Sequence, residues 1–235
     1  MRRIGMLALL LALAAATAVA ADRSARKLDT LWQVGDLASL DIRGISFMPV
    51  ATFDGNVEAR RLTEDAVGKA FRGSGHRWLS TAVTREMIRS AGGDSLANAL
   101  QKQVLALGRV DSLDAPYFSR LTRSRAILTV RVDKFEKLEM EFNQNGKPTT
   151  SVGLTAALVD STGRLLWSAR GGENAEGPYH DGNAGAIGVN ASGLNNKPIT
   201  GQAGAPGYPE TLGKLLARWT PVFPRRGAAD STVTR

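Results

Sequence analysis

The stretch from residue 124 to residue 171 constrains the fold most, because it predicts three antiparallel strands in succession. Apolar side chains occupy every second position of 128–132 and again of 152–158, with polar or small residues between them. This period of two is typical of a strand that buries one face. A third apolar run, at 165–169, completes a three-strand antiparallel meander.

Two turns and one irregularity mark this meander. The dipeptide Asn145-Gly146 predicts the first hairpin, and the run 160–163 predicts the second, because its final glycine can adopt a positive φ. Phe135 interrupts the alternation of the first strand. Such a break within a regular strand predicts a β-bulge near Asp133–Lys134.

The segments around the meander carry one strand pattern and several helix patterns. Residues 44–50 form a short, continuously apolar run, which predicts a buried central strand. Helices are expected where apolar residues recur every three or four positions between capping residues and glycine or proline. They are predicted after Asn56, after Ser80 or Thr81, after Gly92-Gly93, around 113–121, and from Tyr208 to Pro221, with a further short strand at 76–79. The predicted fold class is α/β (α+β): a mixed sheet with a C-terminal antiparallel three-strand meander and helices packed on the sheet.

The chain divides by composition into four parts. Residues 1–20 are predicted to be a signal peptide, and 21–42 an N-terminal extension that could hold a short helix. Residues 43–221 are predicted to form a single α/β domain that carries a Gly/Asn-rich insertion at 181–207. A packed element is not expected in that insertion, because it has too few large apolar side chains to offset the entropy of ordering the backbone. Residues 222–235 are expected to be a flexible tail.

The first twenty residues have the three regions of a secretory signal. Arg2 and Arg3 provide the basic region, 4–16 the apolar region, and Ala18-Val19-Ala20 the small residues that precede a cleavage site. We therefore expect export to the periplasm, with cleavage after Ala20. Retention of the segment as a membrane anchor stays open.

Charge and cysteine content exclude some function classes. The chain has a formal net charge of +8, but the basic residues are spread out, and Arg60-Arg61 and Arg225-Arg226 are the densest pairs. This distribution favours an ordinary solvated surface over a nucleic-acid interface. The chain has no cysteine, which excludes thiol catalysis, cysteine-ligated metal and a lipid anchor on an N-terminal cysteine.

Candidate catalytic residues are few. The two histidines, His76 and His180, would each need an activated serine or carboxylate beside them, and the sequence contains no Gly-x-Ser-x-Gly elbow. Glu139 and Glu141 lie among lysines and are expected to form a solvated edge. No catalytic, metal or cofactor site is predicted.

The order of elements resembles a group of bacterial envelope proteins. The resemblance rests on 45–50, a strand with proline near its end, on 159–168, the last turn and strand of the meander, and on the closing helix from Tyr208 to Pro221. It extends over roughly residues 43–221. The group includes the periplasmic domain of the curli production assembly/transport component family and the outer-membrane lipoprotein activators of penicillin-binding proteins. This resemblance implies the fold and the compartment, and the chain corresponds to a variant without lipidation.

These observations together predict an exported, periplasmic, non-enzymatic protein that acts through protein–protein contacts in cell-envelope assembly or maintenance. The contact is expected at an exposed edge of the sheet, because edge strands offer unpaired backbone groups to a partner. Homo-oligomerisation and membrane association without a lipid anchor stay open, whereas a nucleic-acid partner is not expected. Two alternatives are a hydrolase that uses His180 or His76, and a binder of an anionic polymer or lipid surface.

Overall fold

A computed structural model describes residues 29–35, 40, 42–141, 144–179 and 204–226. The strands are β1 (Thr30–Gln33), β2 (Gly44–Phe47), β3 (Ala51–Thr52), β4 (Arg77–Leu79), β5 (Ala126–Leu138), β6 (Thr149–Asp160) and β7 (Leu165–Glu176). The helices are α1 (Val57–Phe71), α2 (Thr81–Leu107), α3 (Ala115–Thr122) and α4 (Tyr208–Trp219), with short 3₁₀ turns at Arg72–Ser74 and Thr220–Val222.

The strands form one mixed sheet in the order β1-β7-β6-β5-β2-β4, and β3 also pairs with β5. The predicted meander is confirmed, since β5 pairs antiparallel with β6, and β6 pairs antiparallel with β7. The short strands β2, β3 and β4 pair in parallel with each other or with β5. The predicted mixed α/β fold is therefore correct.

Helices cover both faces of the sheet. α1 and α4 pack on one face around a core that includes Phe71, Trp167 and Trp219. α2 and α3 pack on the other face around a second core that includes Ile88 and Ile127. The central strands are consequently buried on both sides, as is expected of the parallel part of a sheet.

This double cover corrects the expectation of a half-buried first meander strand. Ile127 and Thr129, which alternate with the predicted core residues, are also buried, at 0% and 1% exposure. The Thr129 hydroxyl donates to the carbonyl of Gly108, which ends α2, at 3.2 Å. A threonine can therefore occupy the second core because its hydroxyl has a partner there.

The irregularities of the meander lie close to where the sequence predicts them. The β5–β6 register shifts between Val132 and Lys134, which confirms the bulge. Gly163 closes the second turn with φ +86°, and its amide donates to the Asp160 carbonyl at 3.1 Å. β5 ends at Leu138 and β6 begins at Thr149, so Asn145-Gly146 alone does not make the first connection.

The helix boundaries follow the predicted signals. The Asn56 side chain caps α1 by accepting from the Ala59 amide at 2.9 Å. α2 is broken at Gly93, where φ is +64° and ψ is −157°, so that it consists of two helical segments. Pro116 lies in the first turn of α3, and the regular α-helix of α4 ends before Pro221.

Two predictions about the ends of the domain are wrong. Residues 30–33 of the N-terminal extension form an edge strand instead of a short helix. The packed structure also continues past residue 221, because Phe223 is buried at 3% exposure and stacks on Phe71 with ring centroids 4.1 Å apart. Most of the 181–207 insertion lies outside the described residues, but Ala205, near its end, is buried.

Candidate functional site

β1 is the exposed edge of the sheet. All four of its residues are exposed, including Leu31 at 40% and Trp32 at 46%. β1 covers residues 167–170 of β7, so the meander edge that the sequence offers as a contact is partly occupied by this added strand. Within the described residues, the outer side of β1 has no strand beside it.

The hydrogen-bond parity of β1 identifies the backbone groups that point outward. The amide of Val34 donates to the carbonyl of Leu166 at 3.0 Å. This bond shows which backbone groups of β1 point toward β7. Because inward and outward groups alternate in an antiparallel pair, the amides of Leu31 and Gln33 point away from β7. These are the donors that a further strand would use.

An apolar cleft of about 150 Å³ lies next to this edge. It is lined by Leu31, Trp32, Gln33, Trp167 and Val222. The indole Nε1 of Trp167 is buried and has no hydrogen-bond partner in the described part of the chain. The cleft therefore has mainly apolar walls and lies beside the strand that carries the outward amides.

Arg218 of α4 anchors the start of β1. Its guanidinium contacts both carboxylate oxygens of Asp29, with Nε–Oδ2 at 2.7 Å and an NH2–Oδ1 distance of 3.2 Å. It also donates to the carboxylate of Glu173 and, at 2.8 Å, to the carbonyl of Gly172. The hydrogen bond to Asp29 is the main reason that the pKa of Arg218 is raised above its ordinary value. This fork holds the residue before β1 against both β7 and α4.

The anchor requires a glycine in β7. A Cβ atom on Gly171 would lie 2.0 Å from Oδ1 of Asp29, far closer than van der Waals contact allows. Asp29 itself has only 6% of its side chain exposed. Sequence analysis missed this cluster because Asp29 and Arg218 are 189 residues apart and neither lies in a recognisable motif.

The opposite edge, β4, is sealed at its start by the C-terminal segment of the domain. His76, which precedes β4, is buried, with Nδ1 2.6 Å from the Ile42 carbonyl and Nε2 3.2 Å from the Pro224 carbonyl. The amide of Arg226 donates to the Ser74 carbonyl at 2.9 Å. His76 thus faces two backbone carbonyl groups, and among the described residues its ring has no serine or carboxylate partner of the kind that the hydrolase hypothesis requires.

The remaining candidates from the sequence lie apart from this edge. His180 lies outside the described residues. Glu139 follows the end of β5, where it pairs with Lys137 at 2.5 Å and accepts from the Ala205 amide at 2.8 Å. The Lys137 contact, followed by the Ala205 contact, lowers the pKa of Glu139. Glu141 lies beyond β5 and is exposed.

A larger groove of about 620 Å³ lies between α1 and α4. Small and apolar residues, among them Ala66, Ala70, Gly213 and Ala217, line much of it, and Asp65 and Lys69 lie at its margin. This groove is a second concave surface and is formed by the helical layer alone. It is therefore distinct from the β1 edge.

Among the residues that the structure describes, no three histidine, aspartate or glutamate side chains are grouped closely enough to hold a metal ion. No helix there has both the length and the apolar character needed to cross a membrane.

No family model and no curated protein matches the chain. Among solved structures it is similar to lipoprotein GNA1162 from Neisseria meningitidis, at 18% identity over 57% of this chain and 83% of that one, with a TM-score of 0.44. A PelC dodecamer from Paraburkholderia phytofirmans matches at 16% identity over 84% and 100%, with a TM-score of 0.43. The LpoB C-terminal domain from Salmonella enterica matches at 14% over 57% and 84%, with a TM-score of 0.30.

Proposed function

We propose that this chain is an exported protein that acts by protein–protein contact in the cell envelope, and that the outer side of β1 is its contact surface. The observation that carries the proposal is the open edge itself, where outward amides at Leu31 and Gln33 lie beside an apolar cleft. An extended segment of a partner would add to the sheet through those amides and place an apolar side chain in the cleft. This is strand addition, in which backbone hydrogen bonds provide affinity and side-chain pockets provide specificity.

Natural sheets usually protect an exposed edge with charge, proline or a bulge. β1 has the sequence Thr-Leu-Trp-Gln, which contains none of the charged or proline residues that discourage pairing. Asp29, which precedes the strand, is engaged by Arg218, and Arg170 of β7 lies opposite Thr30. The four residues of β1 themselves place no charged side chain in the way of a second strand.

The proposed compartment rests on the N-terminal sequence pattern. Subcellular fractionation followed by N-terminal sequencing is expected to find the protein in the periplasm, with Ala21 as its first residue. Recovery from the cytoplasm with residues 1–20 intact would refute the export part of the proposal.

Site-specific photo-crosslinking in intact cells tests the contact surface. A photoreactive amino acid is placed at Trp32 on the β1 edge, at Lys69 in the α1–α4 groove, or at Arg77 on the β4 edge. All three side chains are exposed or half exposed. We expect a discrete adduct from position 32 and none of the same mass from position 77. An adduct from position 69 alone would move the contact to the helical groove and overturn the assignment to β1.

A pair of substitutions at Gln33 separates the backbone from the side chain. Gln33→Pro removes an outward amide, and the adduct from position 32 is expected to disappear. Gln33→Ala removes only the side chain, so the adduct is expected to persist. Loss of the adduct in both variants, or in neither, would show that backbone pairing at this edge is not what binds the partner.

A further inference from the structure

A third concave site is a cavity of about 120 Å³, which lies beyond the end of β2, four strands away from β1 in the sheet. It opens between α1, the link from β2 to β3, and both segments of α2. Three arginines line it: Arg60 from α1, and Arg85 and Arg89 from the first segment of α2. Apolar residues, including Pro49, Val50, Ile88 and Leu100, form much of the remaining wall.

Arg60 has no counter-ion among the residues that the structure describes, and its Nε is buried there without a hydrogen-bond partner. Buried polar groups in folded proteins nearly always have a partner, and a charged one without a partner is costly. Arg60 as a whole is half-buried and lines the cavity, so its unpartnered Nε favours an anion there.

The carboxylate one helical turn from Arg60 does not fill this role, because it is already occupied. Oε1 of Glu64 accepts from the Val50 amide at 3.2 Å and from Arg85 at 2.7 Å. Oε2 accepts from the Thr81 hydroxyl at 2.9 Å. Glu64 thus joins α1 to α2 and positions Arg85 at the cavity, while Arg60 is left without an anion.

The remaining wall of the cavity contributes further hydrogen-bond donors whose existing contacts are weak. Arg89 is 3.6 Å from Asp94, and both of these side chains are more than half exposed, so that the pair is weak. Side-chain amides of Asn98 and Gln101 also line the cavity. The second segment of α2 starts after Gly93, and its first turn, with Ala97, borders the same space. The start of a helix favours negative charge, which supports the arginines.

We propose that this cavity binds a phosphate group, with Arg60, Arg85 and Arg89 as its ligands. Three arginines and the carboxylates of Glu64 and Asp94 leave one excess positive charge. A phosphate carries more than one negative charge at neutral pH and presents several acceptor oxygens, which suits planar guanidinium forks that arrive from two helices. The small volume admits the phosphate group and leaves anything attached to it outside.

Thermal unfolding of the exported chain tests this proposal, with inorganic phosphate as the probe. Phosphate is expected to raise the melting temperature saturably, and sodium chloride at the same ionic strength is expected not to do so. Arg60→Met removes the unpaired charge and is expected to weaken phosphate binding about tenfold or more. Arg61→Met is the matched control, since Arg61 is the exposed neighbour in α1 and does not line the cavity.

A purely structural role for Arg60 predicts a different result. Without phosphate, Arg60→Met is expected to melt at or above the temperature of the unsubstituted protein, because it replaces an unpartnered charge with an apolar side chain of similar length. Should that variant not fold, Arg60→Lys keeps the charge, loses the planar fork, and is expected to bind phosphate more weakly than Arg61→Lys does. A saturable phosphate effect that both Arg60 variants retain, or no effect beyond that of chloride, would overturn the proposal.

Two further probes distinguish the possible sources of the phosphate group. Glycerol 3-phosphate tests a soluble monoester, and vesicles that contain phosphatidylglycerol test a lipid headgroup. Binding that Arg60→Met abolishes and Arg61→Met leaves intact assigns that probe to the cavity. Binding that both variants weaken equally reflects general attraction to the basic surface and counts against a built site.

Discussion

The two edge strands of the sheet, β1 and β4, are held in place by different contacts. At β4, the chain's own C-terminal segment covers the start of the strand, with Phe223 in the core and the Pro224 carbonyl on His76. At β1, the Arg218–Asp29 pair fixes the strand's beginning, and the side chains of the strand itself are exposed. The C-terminal segment covers the residues that it contacts at the start of β4. The Arg218–Asp29 pair contacts only the start of β1 and leaves the outer backbone of that strand uncovered. The comparison favours β1 as the edge for the proposed contact, because all four of its residues are exposed, whereas two of the three residues of β4 are partly buried.

The largest expected loss of stability comes from disrupting the packing of the C-terminal segment near β4. Phe223→Ala removes a ring that stacks on Phe71 and meets Trp167 edge-on at 5.1 Å. We expect a loss of about 3–5 kcal/mol in the free energy of unfolding, as for other buried aromatic residues. Urea unfolding measures it, with Val222→Ala as the control because Val222 is 37% exposed. Equal, small losses in both variants would show that residues beyond 221 do not belong to the core.

The next largest loss of stability is expected from removing the Arg218–Asp29 ion pair that anchors β1. Arg218→Met leaves the largely buried carboxylate of Asp29 without its cation, and we expect a loss of about 2–4 kcal/mol. Lys214→Met removes an exposed partner of Glu210 one turn earlier in α4 and is expected to cost at most about 0.5 kcal/mol. Urea unfolding of both variants tests this, and a loss for Arg218→Met no greater than that for Lys214→Met would mean that the cluster does not hold β1.

What the sequence could predict follows from how local each signal is. The meander was predictable because its strands alternate over neighbouring residues, and because the bulge disturbs that alternation where it occurs. β1 was not, since four exposed residues show no buried face and the strand depends on a contact between Asp29 and Arg218. The same holds for Phe223, whose burial depends on Phe71, far away in the sequence.

The candidate sites show the same limit. The pair Arg60-Arg61 looks like ordinary basic surface in the sequence, and for the exposed Arg61 that interpretation agrees with the structure. Arg60 differs because two arginines of α2 line the same cavity. Its neighbour Glu64 is hydrogen-bonded to Arg85 and Thr81. No spacing rule within α1 could reveal where α2 would pack.

A third prediction compares one tryptophan from each edge. Trp78 in β4 is partly buried and lies against Phe47, with ring centroids 5.6 Å apart, whereas Trp32 in β1 is 46% exposed. Trp78→Ala is expected to cost about 2–3 kcal/mol, and Trp32→Ala no more than about 0.5 kcal/mol. Urea unfolding of the two variants measures the difference. A large loss for Trp32→Ala would mean that this side chain supports the fold and is not held free for a partner.

The smallest expected effect sharpens the comparison within β1 itself. Gln33→Pro removes an amide that points outward, so we expect the free energy of unfolding to fall by no more than about 1 kcal/mol, since proline is tolerated on the open side of an edge strand. Trp32→Pro, one residue earlier, removes an inward amide and with it a hydrogen bond to β7, at an expected cost of about 1–3 kcal/mol beyond that of Trp32→Ala. Urea unfolding of the three variants gives both differences. If Gln33→Pro destabilises the protein as much as Trp32→Pro does, the outward amide already has a partner within the chain, and β1 cannot accept a strand from another protein.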